Sequence, residues 1–281
     1  MRLKINGLEF GKNSRYQIEA PLTGLDVPPI RMGSGVWSGK DGGYVSSQFY
    51  GSRVIVINGF YRGSTCEHAD ELRKQLVAAL PIRQSIPLYV TTFGGRNLAT
   101  QTYLQDMKMD ITEGGIFGKY QITLIAPDPL LYEAGDGINP NSGWIELPVN
   151  KLLGGGYITE YNMPVQWTPG TTPSIATNSG DVVIYPQVIF KGIVQNPIIT
   201  NLTSNKFVRI NITTTSVNDE LIIDMGQRTV TLNGGSVLSF RTLDSVWFGL
   251  ELGNNVLQYT SSGTSDVLFT TVRWRNGYKG I

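Results

Sequence analysis

The apolar residues of this chain follow two periods, and the commoner one is the period of β-strands. In most segments apolar and polar residues alternate, which predicts strands with one buried face. Residues Leu3 to Phe10 alternate around Asn6-Gly7, a dipeptide typical of a type I′ hairpin turn. Arg53 to Phe60 is a nearly continuous apolar run, which we predict to be a strand ending at Asn58-Gly59. The other strands predicted for this half are Ile86 to Thr92, Leu104 to Thr112 and Gly118 to Ala126.

One segment repeats its apolar residues at helical spacing instead. The stripe consists of Ala69, Leu72, Leu76 and Leu80. Ser64 and Glu67 fit a capping box, in which each side chain accepts a hydrogen bond from a main-chain donor of the other residue. Pro81 lacks an N–H group and keeps the preceding residue out of helical angles, so the helix is predicted to end before it.

A long turn-rich stretch lies between the first hairpin and the strand Arg53 to Phe60. It runs from Pro21 to Tyr44, and its prolines and glycines predict irregular structure. Loops of this length are unusual inside a compact domain. They tend to be functional or to be ordered by a partner.

The second half of the chain is predicted to be a separate domain. The segment EAGDGINPNSGW, after Tyr132, has the composition of a linker, and we place the domains at residues 1–133 and 134–281. A second stretch, Met163 to Asp181, is rich in Thr, Pro and Ser. From Asp181 onward, eight short strands with regular turns predict a sandwich or jelly roll. They are VVIYPQVIF, NPIITNLT, KFVRINIT, ELIIDM, RTVTLNG, SVWFGLE, NVLQYTS and DVLFTTVRW.

Composition narrows the classes of function. The 281 residues include 23 Lys and Arg and 22 Asp and Glu, with no basic block, which argues against specific nucleic-acid binding. Cys66 is the only cysteine and excludes an internal disulfide. The N-terminus lacks the apolar core of a signal peptide, and no apolar run approaches the ~20 residues of a membrane helix. We expect a soluble product made in the cytoplasm.

Candidate catalytic chemistry is sparse, so we expect no enzyme, cofactor or metal site. Gly35 to Asp41 only superficially resembles a phosphate loop, because the spacing is short and Asp follows the lysine. His68, the only histidine, is expected on the surface of the first helical turn. The carboxylates of the second domain could supply a glycosidase pair only at a defined separation, and we expect them in solvated turns. They are Asp219, Glu220, Asp224, Asp244 and Glu251.

The tryptophans divide into two groups. Trp247 and Trp274 lie within apolar strand runs and are expected in the core. Trp144 and Trp167 lie in linker regions, where an aromatic side chain is a candidate contact for a partner or a glycan.

The order of several phrases resembles the distal tail protein family of siphophages. In the first half these are IRMGSGVWSGKDGGY, FYGSRVIVINGFY, CEHADELRKQLVAAL, KYQITLI and APDPLLYE. In the second half they are NPIITNLT, LIIDMGQRTVTLNGG, SVWFGLELGNNVLQYT and VRWRNGY. Each phrase is weak by itself, whereas their order and spacing cover nearly the whole chain.

The resemblance implies a mainly β fold. Its first part would be a β-sandwich or split-barrel-like ring domain with one α-helix, and its second part a galectin-like (jelly-roll) β-sandwich. It also implies a virion protein at the phage tail tip, where six copies, possibly in stacked rings, join the tail tube protein to tip, baseplate and receptor-binding proteins. The genome would pass through the lumen.

Within such a ring, we expect Pro28 to Tyr44 to pack on the adjacent subunit. The candidate interface residues are Arg31, Trp37, Lys40, Asp41 and Tyr44. Three alternatives stand against this interpretation. The first of them, an enzyme such as a wall hydrolase, is disfavoured by the missing His/Cys cluster and nucleophile motif. The other two concern binding and assembly and stay open. The second domain could bind cell-wall carbohydrate and attach the phage to its host, or the chain could be the tube subunit itself.

Overall fold

The structure, a computed structural model, describes residues 1–111, 115–135, 143–149, 174–262 and 268–281. Over these residues the fold is mainly β with a single α-helix, which confirms the predicted class. The helix is α1 (Cys66–Ala78), and the strands are β1 (Arg2–Ile5), β2 (Leu8–Phe10), β3 (Tyr16–Thr23), β4 (Ile30–Arg31), β5 (Ser34–Val36), β6 (Gly43–Val45), β7 (Phe49–Tyr50), β8 (Arg53–Arg62), β9 (Ile86–Thr91), β10 (Asn97–Ile111), β11 (Phe117–Ala126), β12 (Leu131–Glu133), β13 (Ile145–Pro148), β14 (Ser174–Asn178), β15 (Gln187–Gly192), β16 (Ile198–Asn201), β17 (Lys206–Arg209), β18 (Glu220–Asp224), β19 (Thr229–Leu232), β20 (Gly235–Ser236), β21 (Gly253–Thr260), β22 (Leu268–Trp274) and β23 (Gly277–Tyr278).

The chain divides into two compact units. The first comprises Met1–Gly143 and Gly277–Ile281, and the second comprises Trp144–Asn276. These limits differ from residues 1–133 and 134–281, because the last five residues return to the first unit. There β23 pairs with β12, which places Tyr278 opposite Leu131.

A closed sheet forms the body of the first unit. The strands follow one another in the order β11-β8-β3-β2-β1-β9-β10, and β10 pairs with β11 to close the circle. Strand β10 closes it because its first half pairs with β9 and its second half with β11. The register shifts between Leu104 and Asp106, and such bulges let a strand bend around a corner of a barrel.

The interior of this barrel is filled as the alternation predicts. Ile55 and Ile57 on β8, and Ile122 and Leu124 on β11, are fully buried in one hydrophobic cluster. The helix adds its stripe to the same cluster, with Ala69, Leu72, Leu76 and Leu80 all buried. The Asn6-Gly7 hairpin is also confirmed, because both residues have positive φ angles, 43° and 87°, between β1 and β2.

Three local predictions in this unit are wrong by a few residues. The strand predicted from Leu104 begins earlier, because β10 starts at Asn97. The residue that caps the helix is Thr65, whose Oγ1 accepts a hydrogen bond from His68 N at 3.2 Å, so the capping residue is not Ser64. Strand β8 does not end at Asn58-Gly59 but runs on to Arg62. Gly59 lies within the sheet and forms no turn. A Cβ at this position would be 2.1 Å from Gln17 O, so the glycine permits the close approach of the neighbouring strand.

The second unit consists of two antiparallel sheets around one core. One sheet has the order β13-β22-β15-β18-β19-β20, and the other has the order β14-β21-β16-β17. Both contribute to a single hydrophobic cluster, in which the rings of Phe190 and Tyr259 lie 5.3 Å apart. The Asn233-Gly234 turn joins β19 to β20 with positive φ angles at both residues. The predicted sandwich is therefore present in the described residues.

One of the strands predicted for this unit does not form. Of SVWFGLE, only Leu250 makes a bridge, to Ile184. The segment instead runs alongside strand β17, where Val246 N donates to Phe207 O at 2.8 Å. Its apolar residues Phe248 and Leu250 are buried all the same. The apolar pattern predicted the burial correctly and the strand pairing wrongly.

Candidate assembly surface

The turn-rich stretch predicted to be irregular is instead a two-stranded β-ribbon. Strands β4 and β7 pair, and β5 and β6 continue the pairing, so residues 29–51 form an arm that leaves the barrel between β3 and β8. The pairing begins at the barrel end of the arm, where Gly51 N donates to Pro29 O at 2.6 Å. At the other end, Trp37 N donates to Gly42 O at 3.2 Å and closes the turn between β5 and β6. The prolines and glycines of this stretch therefore do not prevent strand pairing.

Large apolar side chains of the arm are exposed. Val36 is 86% exposed and Phe49 is 64% exposed. The others in this state are Ile30, Met32, Trp37, Tyr44 and Val45. A two-stranded ribbon is at best marginally stable in water without a further layer to cover it. Such a concentration of exposed large apolar side chains in one segment indicates an interaction site in a soluble protein.

The tip of the arm is held together by its own side chains. The Trp37 and Tyr44 rings lie 5.3 Å apart, and Lys40 Nζ lies 4.4 Å from the centre of the Trp37 ring. The Tyr44 ring covers Gly35, where a Cβ would be only 2.7 Å from it. The cation and the two rings therefore form one cluster that presents both charge and aromatic surface.

The root of the arm is fixed by a buried arginine. Arg53, the first residue of β8, is 1% exposed and donates only to main-chain carbonyls in its described hydrogen bonds. Its Nη1 reaches Gly24 O at 2.8 Å and Asp26 O at 2.5 Å, on the chain segment that leads into the arm. Burial lowers the pKa of this guanidinium, while the nearby carboxylates of Asp26 and Asp128 act in the opposite direction.

The candidate interface residues come together in part. Trp37, Lys40 and Tyr44 form the tip cluster, and Asp41 is exposed in the turn beside them. Arg31 lies further down the arm, paired with Phe49. Sequence reasoning missed the aliphatic residues and Phe49. The alternation of Ile30 and Met32 with polar residues could have indicated them.

Of the two candidate glycan-binding tryptophans, the structure describes only Trp144. Trp144 is half-buried, and the guanidinium carbons of Arg273 and Arg275 each lie 5.0 Å from its ring centre. Trp167 lies outside the described residues. Trp274 is buried, as predicted, whereas Trp247 is half-buried against the core with Arg241 5.5 Å from its ring.

The groups considered for catalysis have structural partners. The segment Gly35 to Asp41 lies on the ribbon and its turn, not between a strand and a helix. His68 lies in the first helical turn, with Nδ1 3.0 Å from Ser64 Oγ. Asp219 accepts from Asn233 Nδ2 and from the main chain of Ser216, and these hydrogen bonds lower the pKa of its carboxyl group.

Two of the other candidate carboxylates, Asp224 and Glu220, also have partners. Asp224 Oδ1 accepts from Gly226 N at 2.9 Å, and Glu220 pairs with Lys191 at 3.2 Å. Among the described residues, no cluster of His, Cys, Asp and Glu could hold a metal ion. Within the same residues, no helix combines the length and the hydropathy needed to cross a membrane.

A second exposed apolar surface lies on the second unit. Leu243 is 97% exposed at the tip of the segment that runs alongside β17, and Leu238, Phe240 and Val246 are exposed near it in sequence. The segment is held in place by Thr242 N donating to Arg209 O at 3.1 Å and by Arg241 Nη1 donating to Ser245 O at 2.6 Å.

A family model matches most of the second unit. Residues 179–278 match the C-terminal domain of the siphovirus-type tail component family. This range covers the described strands of the second unit from β15 onward and ends at the return strand β23. The resemblance predicted from the sequence is thus confirmed by the family model in this part of the chain.

Solved structures extend the likeness to the whole chain. The crystal structure of the SPP1 Dit protein, described as a paradigm of the hub adsorption apparatus in phages that infect Gram-positive bacteria, is similar with a TM-score of 0.69 over 98% of both chains at 15% identity. A chain of the phage P2 baseplate in its activated conformation with Sr is similar with a TM-score of 0.50 over 97% of both chains at 10% identity. At these identities the likeness shows the fold. A comparison with curated protein sequences gave no match.

Proposed function

We propose that this protein is a structural, non-enzymatic subunit of a siphophage tail tip, and that six copies close into a ring through their arms. The exposed arm is the observation that carries the proposal. Its apolar side chains have no cover within the described part of the first unit, and a neighbouring copy can supply that cover. The family match of the second unit and the shared fold support the assignment to a tail component.

A head-to-tail contact suits this geometry. If each arm packs on the barrel of the next copy, the contact surfaces differ, and such an interface makes a closed ring when its rotation divides the circle. The ring would join the tail tube protein on one side to tip, baseplate and receptor-binding proteins on the other. The near-balanced charge of the chain is compatible with a lumen through which nucleic acid passes without being retained.

The test is the mass of the purified protein in solution, measured by light scattering and native mass spectrometry. We expect a hexamer or a pair of stacked hexamers. Deletion of Ser34 to Gly43 removes the outer part of the arm and should leave a monomer with an intact barrel. A deletion variant that still forms the parental ring would contradict the role of the arm.

A pair of substitutions separates the arm from exposed apolar surface in general. Val36→Ser removes an apolar side chain from the arm, and Leu243→Ser makes a similar change on the second unit. Burial of one such side chain in an interface contributes about 1.5–3 kcal/mol, so Val36→Ser should weaken ring formation by about tenfold or more. Leu243→Ser should leave the ring unchanged. The reverse result would assign the subunit contact to the second unit.

The alternative function, carbohydrate binding by the second unit, has less support from the tryptophans that the structure describes. Trp274 is buried, and the Trp144 and Trp247 rings are approached by arginines, so none presents an unobstructed platform. Glycan-array binding that is lost in Trp144→Ala would favour the alternative over a purely structural role.

A further inference from the structure

The arm is attached to the barrel at one point, where three separate parts of the chain meet. Residues 24–26 lead into the arm, and Arg53 follows its last pair by two residues. The third part is the C-terminal segment, 277–281, which returns from the second unit. Arg53 itself lies in the second of these parts. It donates hydrogen bonds to the other two, which makes it the centre of the attachment.

The guanidinium uses its fixed geometry to hold carbonyl groups in different directions. Nη1 donates to Gly24 O and Asp26 O, Nη2 donates to Lys279 O at 2.5 Å, and Nη2 and Nε both donate to Pro129 O, at 2.7 and 3.0 Å. A lysine has no planar fork and could not hold these acceptors at once. Because hydrogen bonds from a charged donor are stronger than neutral ones, this residue ties the segments firmly.

The C-terminal segment touches the arm root directly as well. Ile281 N donates to Leu25 O at 3.1 Å, and a Cβ placed on Gly280 would lie 2.9 Å from the carbonyl carbon of Asp26. The segment is itself fixed to the barrel, because Tyr278 pairs with Leu131 in the sheet and the Arg96 guanidinium lies 4.9 Å from the Tyr278 ring. The last five residues therefore form a brace against the root.

We propose that Arg53 and residues 277–281 act as an anchor that sets the direction of the arm, and that the anchor thereby determines whether subunits close into a ring. The proposal rests on the arm-mediated assembly proposed above. A head-to-tail contact closes only at a defined rotation, and an arm that pivots at its root gives open or irregular chains. Arg53 is a positioning residue in this scheme, because it acts on the interface only through the arm.

The direct test measures the tip-to-barrel distance within a single labelled copy, and it can be made on a monomer as well as on a ring. In a Cys66→Ser background, nitroxides are placed at Ser38→Cys in the arm tip and at Lys119→Cys on β11. The labelled protein is diluted into unlabelled protein, and pulsed electron paramagnetic resonance then reports the tip-to-barrel distance. The parent should give one narrow distribution.

Gly280→Ala is the informative variant, since the three atoms nearest to its added Cβ all belong to the main chain of Leu25 and Asp26, at the arm root. We expect its distance distribution to widen about twofold or more and trypsin to cut at Arg31 and Lys40 about tenfold faster, because the root opens more often. The matched control is Gly94→Ala, where the nearest atom to a new Cβ is Thr92 Oγ1 at 3.9 Å, and its distribution should equal that of the parent.

An unchanged distance distribution in Gly280→Ala would overturn the anchor. If that variant does not fold, Arg53→Lys replaces it, with the same expectation of a wider distribution in a folded barrel. Mass measurement of the same variants then connects the anchor to assembly. A parent that stays monomeric defeats the proposed function but leaves the distance test of the anchor valid, so the two failures are distinguishable.

Discussion

The arm and strand β8 are consecutive in the chain and both are β-structure, yet they are stabilised in opposite ways. Strand β8 alternates strictly, so that Ile55 and Ile57 are buried while the residues between them face outward. The arm has a comparable share of apolar side chains, but its strand residues are exposed or at most half-buried. The difference shows that apolar content alone does not place a segment in the core of its own subunit.

The cause is the number of pairing neighbours. Strand β8 has β3 on one side and β11 on the other, so its inner face is covered by a closed sheet. Strands β4 and β7 pair only with each other, and so do β5 and β6. A ribbon with one partner per strand has no second layer, and its apolar residues stay exposed until another molecule covers them.

The largest effect should come from matched truncations in the two regions. Ile57→Ala creates a cavity in the barrel core and should lower the free energy of unfolding by about 2–5 kcal/mol. Ile30→Ala removes the same atoms from an exposed position of the arm. It should change the free energy of unfolding of the monomer by less than about 0.5 kcal/mol. Urea unfolding of both variants measures this, and equal losses would contradict the comparison.

The second effect concerns pH and a buried tyrosine of the barrel. Burial raises the pKa of Tyr120 well above its ordinary value of 10.0, with Tyr16 adding to the shift. Above pH 10 the unfolded chain loses this proton while the folded barrel keeps it, so stability falls as pH rises. The slope for Tyr120 is at most about 1.4 kcal/mol per pH unit. Unfolding in urea between pH 8 and pH 11 measures it.

The control for this pH effect is Tyr120→Phe. Its hydroxyl donates to Gln17 O at 2.9 Å, so the variant should be about 1 kcal/mol less stable near neutral pH. Its alkaline decline should be shallower, and Tyr16 and Tyr61 contribute to what remains, because burial also raises their pKa values. An identical decline in parent and variant would show that Tyr120 ionises freely in the folded state.

The barrel could be anticipated from sequence in its parts but not in its closure. Alternation predicted β8 and β11, and the dipeptide Asn6-Gly7 predicted its hairpin, because these signals depend on neighbouring residues. Closure depends on the bulge after Leu104, which lets β10 pair with two different strands. The return of residues 277–281 to the first unit depends on a buried guanidinium more than 220 positions away in the chain, at Arg53. No local pattern carries either fact.

The sequence predicted where the candidate surface lies in the chain, but it did not predict that this segment forms a β-ribbon. The length and composition of Pro21 to Tyr44 indicated a segment ordered by a partner, and the candidate residues Trp37, Lys40 and Tyr44 do cluster. The glycines were interpreted as breakers, whereas Gly35 and Gly43 allow the two strands and the Tyr44 ring to approach closely. A glycine that opens a turn and a glycine that admits a close contact have the same sequence signal.

A smaller effect distinguishes the two residues that could cap the helix. Thr65→Ala removes the acceptor for His68 N and should lower stability by about 1 kcal/mol. Ser64→Ala removes only an exposed contact with the His68 ring and should change stability by a few tenths of a kcal/mol. Thermal and urea unfolding of the two variants decide between them. A larger loss of stability in Ser64→Ala would show that Ser64 is the capping residue, as the sequence predicted.

The smallest effect on stability should be the most informative about the arm. Lys40 lies against the Trp37 ring in the arm tip, and Lys74 pairs with Asp70 at 2.7 Å on the exposed side of the helix. Both interactions are at the surface, so Lys40→Ala and Lys74→Ala should each change the free energy of unfolding by less than about 0.5 kcal/mol.

The two variants should differ in self-association, measured by light scattering over a range of protein concentrations. Only Lys40→Ala should shift that equilibrium, because only the arm meets a second copy. Two variants with equal stability and equal self-association would mean that the arm tip faces solvent in the assembly, and the contact would then have to lie nearer its root.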